Sequence, residues 1–143
     1  DGNTPLPITR FWVGDITKSF SNTITAGGIG ADSLRVGNSF AGSNSVRLRN
    51  GNQFSSYRNS PFDFRWTCYV WNGAASAFYD PLGQRTGFNT GFNNRVGLTI
   101  GALPDGSFPL QGHICEIIDY PFILTDEQRN AVIDHLAEKW ITV

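Results

Sequence analysis

Methionine is missing from all 143 residues, and lysine occurs only as Lys18 and Lys139. A chain without an initiator Met is expected to be processed or to be part of something longer. The polar start, Asp1-Gly2-Asn3-Thr4-Pro5, has neither the basic nor the apolar region of a signal peptide. Charged residues make up 16%, against roughly 25% in an average globular protein. The net charge of -1 gives no field to recruit nucleic acid or an anionic membrane. No stretch approaches the roughly 18 apolar residues of a membrane span. The two cysteines, Cys68 and Cys115, match no Cys-x-x-Cys zinc or redox spacing. They leave open a cross-sheet disulfide or two buried thiols. His113 and His135 are the only histidines, and neither cysteine sits in a nucleophile signature.

With 40% apolar and 13% aromatic residues, the chain can build one core, and its length suits one domain. Gly, Asn and Ser punctuate short apolar stretches, the rhythm of an all-β domain. Residues 1–10, with Pro5 and Pro7, read as an extended N-terminal arm, and 11–143 as the domain. Phe11-Trp12-Val13 could start the sheet. Leu34-Arg35-Val36 and Val46-Arg47-Leu48-Arg49 alternate with period two, setting Arg35, Arg47 and Arg49 on one polar face. Asn50-Gly51 and Asn72-Gly73 are type I′ hairpin signals, and Asp80-Pro81-Leu82-Gly83 is a third turn. In Arg65–Trp71 the residues Trp66, Cys68 and Val70 share a face. Arg95–Gly101 alternates again, with Val96, Leu98 and Ile100 inward. Asp105-Gly106 turns the chain, and His113–Tyr120 is the last strand.

The ending is helical. Thr125-Asp126-Glu127-Gln128 is a capping box, in which Thr125 accepts from the Gln128 amide and Gln128 reaches back. Asp126 and Glu127 suit the positive end of the helix dipole. Val132, Ile133, Leu136, Ala137 and Trp140 recur at helical spacing and form one apolar stripe. The fold class is therefore all-β with one C-terminal amphipathic helix of about four turns docked on a sheet.

The last third resembles the C-terminal signature of concanavalin A-like (LamG-like) jelly-roll domains. The matching residues are Leu98-Thr99-Ile100-Gly101, Gly112-His113-Ile114-Cys115-Glu116-Ile117-Ile118-Asp119-Tyr120, Leu124-Thr125-Asp126-Glu127-Gln128-Arg129 and Leu136-Ala137-Glu138-Lys139-Trp140. Upstream, Asn72-Gly73 and the Tyr79–Gly83 turn are similar to the family's middle hairpins. The resemblance implies a two-sheet antiparallel jelly-roll sandwich. It also implies a binding or structural module of the kind found in bacterial surface proteins and phage virion proteins, although some relatives are glycosidases. Glu116 holds the family's Glu position.

A glycosidase needs two carboxylates about 5–9 Å apart across a sugar. Glu116 and Asp119, three apart on one strand, would face opposite ways, and Glu127 and Glu138 belong to the helix, so no catalytic residue is assigned. Glu116 is read as structural, with backbone or Arg partners from a loop, alongside Thr125, Gln128 and Trp140. A sugar site would draw on Trp71, Tyr79, Phe88 and Phe92, aromatics in or near Asn/Gly-rich segments. Calcium, held by loop oxygens of Asp80, Asn93, Asn94 or Asp105, is the one cofactor left open. No calcium-loop spacing is present, each position suits a turn anyway, and no metal ligand is assigned.

The expected function is a non-enzymatic virion protein, decorating a capsid or forming part of a tail fibre or spike. It would contact other virion proteins and further copies of itself through Arg35, Arg47, Arg49, Pro5 and Pro7. The alternative is a carbohydrate-binding adhesin module of a secreted or surface protein.

Overall fold

A computed structural model describes residues 3–4, 7–17, 23–26, 34–38, 45–50, 53–59, 62–90 and 95–141. For 3–4, 23, 25–26, 34–38, 45–50, 53–59, 62, 88 and 95–96 it is the course of the backbone that is described. In chain order the strands are β1 (Asn3–Thr4), β2 (Ile8–Ile16), β3 (Thr23–Ala26), β4 (Leu34–Asn38), β5 (Ser45–Asn50) and β6 (Gln53–Asn59). They continue with β7 (Phe62–Trp71), β8 (Ser76–Asp80), β9 (Gly83–Phe88), β10 (Arg95–Val96), β11 (Thr99–Ile100) and β12 (Gly112–Tyr120), followed by helix α1 (Asp126–Trp140). One sheet runs β11-β3-β4-β5-β6, the other β12-β2-β7-β8-β9, and β1 pairs with β10. Every pairing is antiparallel. The chain is a two-sheet antiparallel β-sandwich of jelly-roll type with one C-terminal helix.

Strand β2 organises both cores. Its even residues Ile8, Trp12 and Ile16 join Tyr69, Trp71 and Phe78 and meet Ile24 of the other sheet. Its odd residues Phe11 and Val13 join Cys68, Val70, Ala77, Leu124 and Leu136 beneath α1, which packs on the sheet's outer face. Burying each of these large side chains contributes roughly 1.5–3 kcal/mol. The helix starts where the capping box lies: Thr125 Oγ1 accepts from the Gln128 amide at 3.2 Å, and Gln128 Oε1 accepts from the Thr125 amide at 3.0 Å. At the other end Gly14 and Gly112 let β2 and β12 approach. A Cβ on Gly14 would lie 2.0 Å from the His113 carbonyl oxygen, and one on Gly112 2.1 Å from that of Asp15.

Three local expectations need correction. The arm does not extend to residue 10, because Ile8, Thr9 and Arg10 are fully buried in β2, an interior strand of its sheet. Pro7 only precedes it, and Pro5 lies outside the described residues. Asn72-Gly73 does not form a type I′ turn, since Asn72 has φ -149° where that turn needs a positive value; a 3-10 turn spans Gly73–Ala75 instead. At the β5–β6 pairing Asn50 lies opposite Gln53, and Gly51 of the expected Asn50-Gly51 turn lies outside the described residues. Arg95–Gly101 is not one strand. Gly97, at φ 69°, interrupts it, so β10 and β11 join different sheets, and Leu98 and Ile100 are exposed rather than inward.

Candidate functional site

The face of the helix-backed sheet that looks toward the second sheet carries a row of charge within its apolar core. Register sets Asp119 opposite Arg10 and Arg10 opposite Tyr69. Arg10 is 1% exposed. Its Nε donates to Asp119 Oδ1 and its Nη2 to Oδ2, both at 2.5 Å. The guanidinium carbon also lies 5.5 Å from the centre of the Trp71 ring. This two-point geometry offsets the cost of removing the guanidinium from water.

Nearer the β9 edge, the same face becomes accessible. Arg65 pairs with Gly14, two residues from Trp12, and Arg85 pairs with Phe78, two residues from Asp80. Arg65, Asp80 and Arg85 therefore share the face of Trp12 and Phe78. Asp80 is buried: its Oδ1 accepts from the Leu82 amide at 2.9 Å, fixing the β8–β9 turn. Its Oδ2 lies 3.6 Å from Arg65 Nη1. Arg65 Nε donates to the Asp63 carbonyl at 3.1 Å, and Nη2 lies 3.8 Å from Asp63 Oδ2. Gln84, Arg85, Thr86 and Gly87 are exposed. The rim is polar: Asp63 and residues 84–87 are open to solvent, whereas the Arg65 and Asp80 side chains are largely buried.

The aromatic platform expected from the sequence does not assemble. Trp71 is 1% exposed and packs against Tyr69, because its position on β7 points it between the sheets. Tyr79 lies on the opposite face, opposite Cys68, and the Arg129 guanidinium covers its ring at 4.0 Å. Phe88 is described only as backbone of β9, and Phe92 lies outside the described residues. A different aromatic is exposed. Phe122 packs on Tyr120 at 5.8 Å, and its carbonyl accepts from Thr9 Oγ1. Its setting, directly after a strand in Tyr120-Pro121-Phe122, was the signal available for it.

Arg35, Arg47 and Arg49 lie on β4 and β5, where Arg35 pairs with Arg49 and Gly37 with Arg47. The two cysteines are free. Strand β2 runs between β7 and β12, and Cys68 lies level with Ile118 rather than Cys115, which sets the two cysteines more than two strand spacings, over about 10 Å, apart, beyond disulfide reach. Burial pushes the Cys68 thiol up to about 12, with Arg129 pulling weakly the other way. Where they are described, the calcium candidates have partners within the chain. Asp80 serves Leu82 and Arg65, Asp105 serves the amide and hydroxyl of Ser107, and Asn93 and Asn94 lie outside the described residues. Among the described residues no group of three or more His, Cys, Asp or Glu gathers.

Glu116 and Asp119 do face opposite sides of the sheet. The partners of Glu116 come from α1, not from a loop: Trp140 Nε1 donates to its Oε2 at 2.6 Å and Lys139 Nζ at 3.0 Å. These bonds, the indole first, hold its carboxyl below the usual range. His113 Nδ1 lies 2.9 Å from Asp15 Oδ1 at the β2–β12 end, and His135 is exposed. No helix among the described residues is long and apolar enough to cross a membrane.

No family model matches the chain, and neither does any curated protein. Solved structures do. The chain is similar to the CBM40 carbohydrate-binding module of the Ruminococcus gnavus IT-sialidase, with a TM-score of 0.65 and 10% identity, over 91% of this chain and 84% of that one. The same module bound to α2,3-sialyllactose matches with a TM-score of 0.63 and 10% identity, over 91% of this chain and 83% of that one. At this identity the likeness concerns the fold. That fold is the β-sandwich built by β2, β7 and their neighbours.

Proposed function

We propose that this chain is a non-catalytic carbohydrate-binding module of a secreted or cell-surface protein, taking its glycan at the β7–β9 rim. The observation that carries the reading is the likeness, over 91% of the chain, to a module solved with a bound oligosaccharide. The site chemistry supports it. Glu116 is committed to Trp140 and Lys139 on the helix side, and Asp119 to Arg10 on the other. That leaves neither as half of a hydrolytic acid–base pair. The outer face of the sheet lies under α1, whereas the rim presents exposed Gln84, Arg85 and Thr86, and the exposed Asp63 carboxylate, to solvent. Sugar hydroxyls, each donor and acceptor, are suited to such a mixed array. The virion reading rests on family resemblance alone, and neither matched structure is a virion protein.

A glycan array followed by calorimetry on the selected sugars tests this reading. Selective binding at millimolar affinity or better is expected. Arg85→Ala should weaken it by about tenfold or more. A chain that selects no glycan on the array would overturn the proposal.

A further inference from the structure

Register gathers three arginines on the sheet that α1 does not back. Arg35 of β4 lies directly opposite Arg49 of β5, and Arg47 lies opposite Gly37. Residues opposed in this way have Cα atoms about 5 Å apart, and Arg47 and Arg49 are about 7 Å apart along one strand. The rows continue to either side: Gly37 is also opposite Thr23 of β3, Arg47 is opposite Ser56 of β6, and Arg49 is opposite Phe54. This is the outer face of the sandwich. Ile24, next to Thr23, joins the core between the sheets with Trp12 and Ile16. Thr23, and with it Gly37, Arg35, Arg47 and Arg49, therefore belongs to the face turned away from that core.

The strands of this sheet supply no carboxylate. Together β3, β4, β5, β6 and β11 carry Arg35, Arg47, Arg49 and Arg58 and not one Asp or Glu, whereas the helix-backed sheet carries Asp15, Asp63, Asp80, Glu116 and Asp119. Like charges set directly opposite one another disfavour strand pairing, so the Arg35–Arg49 pair is a cost that a bound anion relieves. Gly37 adds a second feature. It is a position without a side chain, two residues from Arg35, opposite Arg47 and diagonal to Arg49. One guanidinium fork fills the two oxygens of a carboxylate, whereas a sulfate ester has three terminal oxygens to share among several forks. Thr23, Ser56 and Phe54 flank the rows, residue types suited to the sugar that carries the ester. From this juxtaposition, and resting on the carbohydrate-binding reading, we propose that the outer face of β4–β5 is a second binding surface, apart from the β7–β9 rim, that takes sulfated glycans through Arg35, Arg47 and Arg49 around Gly37.

Calorimetry on the whole chain compares lactose, sulfated lactose, α2,3-sialyllactose and inorganic sulfate, at low and at high salt. Sulfated lactose should bind about tenfold or more tighter than each of the other three, with a gain that high salt erodes. Arg47→Gln and Arg49→Gln should each remove most of that gain. Arg49→Gln should do so without lowering the melting temperature, because it takes away a like-charge pair. Lactose and sulfated lactose bound alike overturn the inference while the carbohydrate-binding reading stands. Sialyllactose bound as tightly as sulfated lactose overturns it too, since the face is then a carboxylate site. Inorganic sulfate bound as tightly does the same, since the face then takes the free anion. A gain that survives in both folded arginine variants also counts against it. Binding of no sugar at all removes both readings. The wild-type comparison decides even where a variant does not fold.

Discussion

Replacing Asp119 by alanine removes the two-point partner of the Arg10 guanidinium inside the sandwich. Arg10 sits between Ile8 and Trp12 in the even-residue register of β2 and is 1% exposed. Removing one partner of a buried pair typically costs 3–5 kcal/mol. The Asp119 side chain is 27% exposed, so water replaces part of what is lost, and the lower end of that range, about 3 kcal/mol, is expected. For a chain of this length the unfolding entropy is about 0.3 kcal/mol/K, so the melting temperature should drop by about 10 °C. Urea titration should show the same loss as a lower midpoint at unchanged slope. Two companion variants separate charge from packing. Arg10→Lys should recover little, since an ammonium can neither grip both carboxylate oxygens nor lie flat on Trp71. The double variant Arg10→Met with Asp119→Leu should recover most of the stability, since no charge is left buried. A loss under about 1 kcal/mol for Asp119→Ala would refute the reasoning.

Other expectations follow from single contacts. The carboxyl of Glu116 is depressed from an ordinary value near 4.5 by the Trp140 indole and Lys139, so its contribution is present above that value and lost as pH falls through the lower folded one. Trp140 fluorescence should report release of the helix end on acidification, and Glu116→Gln should abolish that acid limb. Gly14→Ala drives a Cβ to 2.0 Å from the His113 carbonyl; it should cost roughly 3 kcal/mol or more and raise amide exchange along β12. Both cysteines should count as free thiols in denaturant. Native Cys68, with its thiol pushed up to about 12, should ignore iodoacetamide at pH 8 until the chain unfolds.

Much of the fold could be read from local chemistry. Thr125 and Gln128 needed only each other to mark the helix start, and Asp80-Pro81-Leu82-Gly83 needed only its own Asx contact to mark a turn. Signals that depend on distant residues misled. Leu98 and Ile100 obey period two, but Gly97 breaks the strand and sends its halves to different sheets. Arg10 followed two prolines and read as part of an arm; its partner lies 109 residues away, beyond any window of sequence. Trp71 and Tyr79 read as sugar-site candidates because Asn- and Gly-containing turns adjoin them. Which face an aromatic takes is set by cross-strand register, and register put one between the sheets and the other beneath Arg129. The rim at Arg65, Asp80 and Arg85 went unseen for the same reason: three separate segments meet only once β7, β8 and β9 are paired.

Strand β2 also bears on how the protein is made. Ile8–Ile16 leaves the ribosome ahead of both its neighbours in the sheet, Phe62–Trp71 and Gly112–Tyr120. A segment this apolar waits unpaired until they are made, and the second of them arrives just ahead of α1. Closure must then join segments far apart in sequence, the kind of topology that folds slowly and is prone to association on the way. The demand for protection during synthesis follows from one strand that precedes both of its partners.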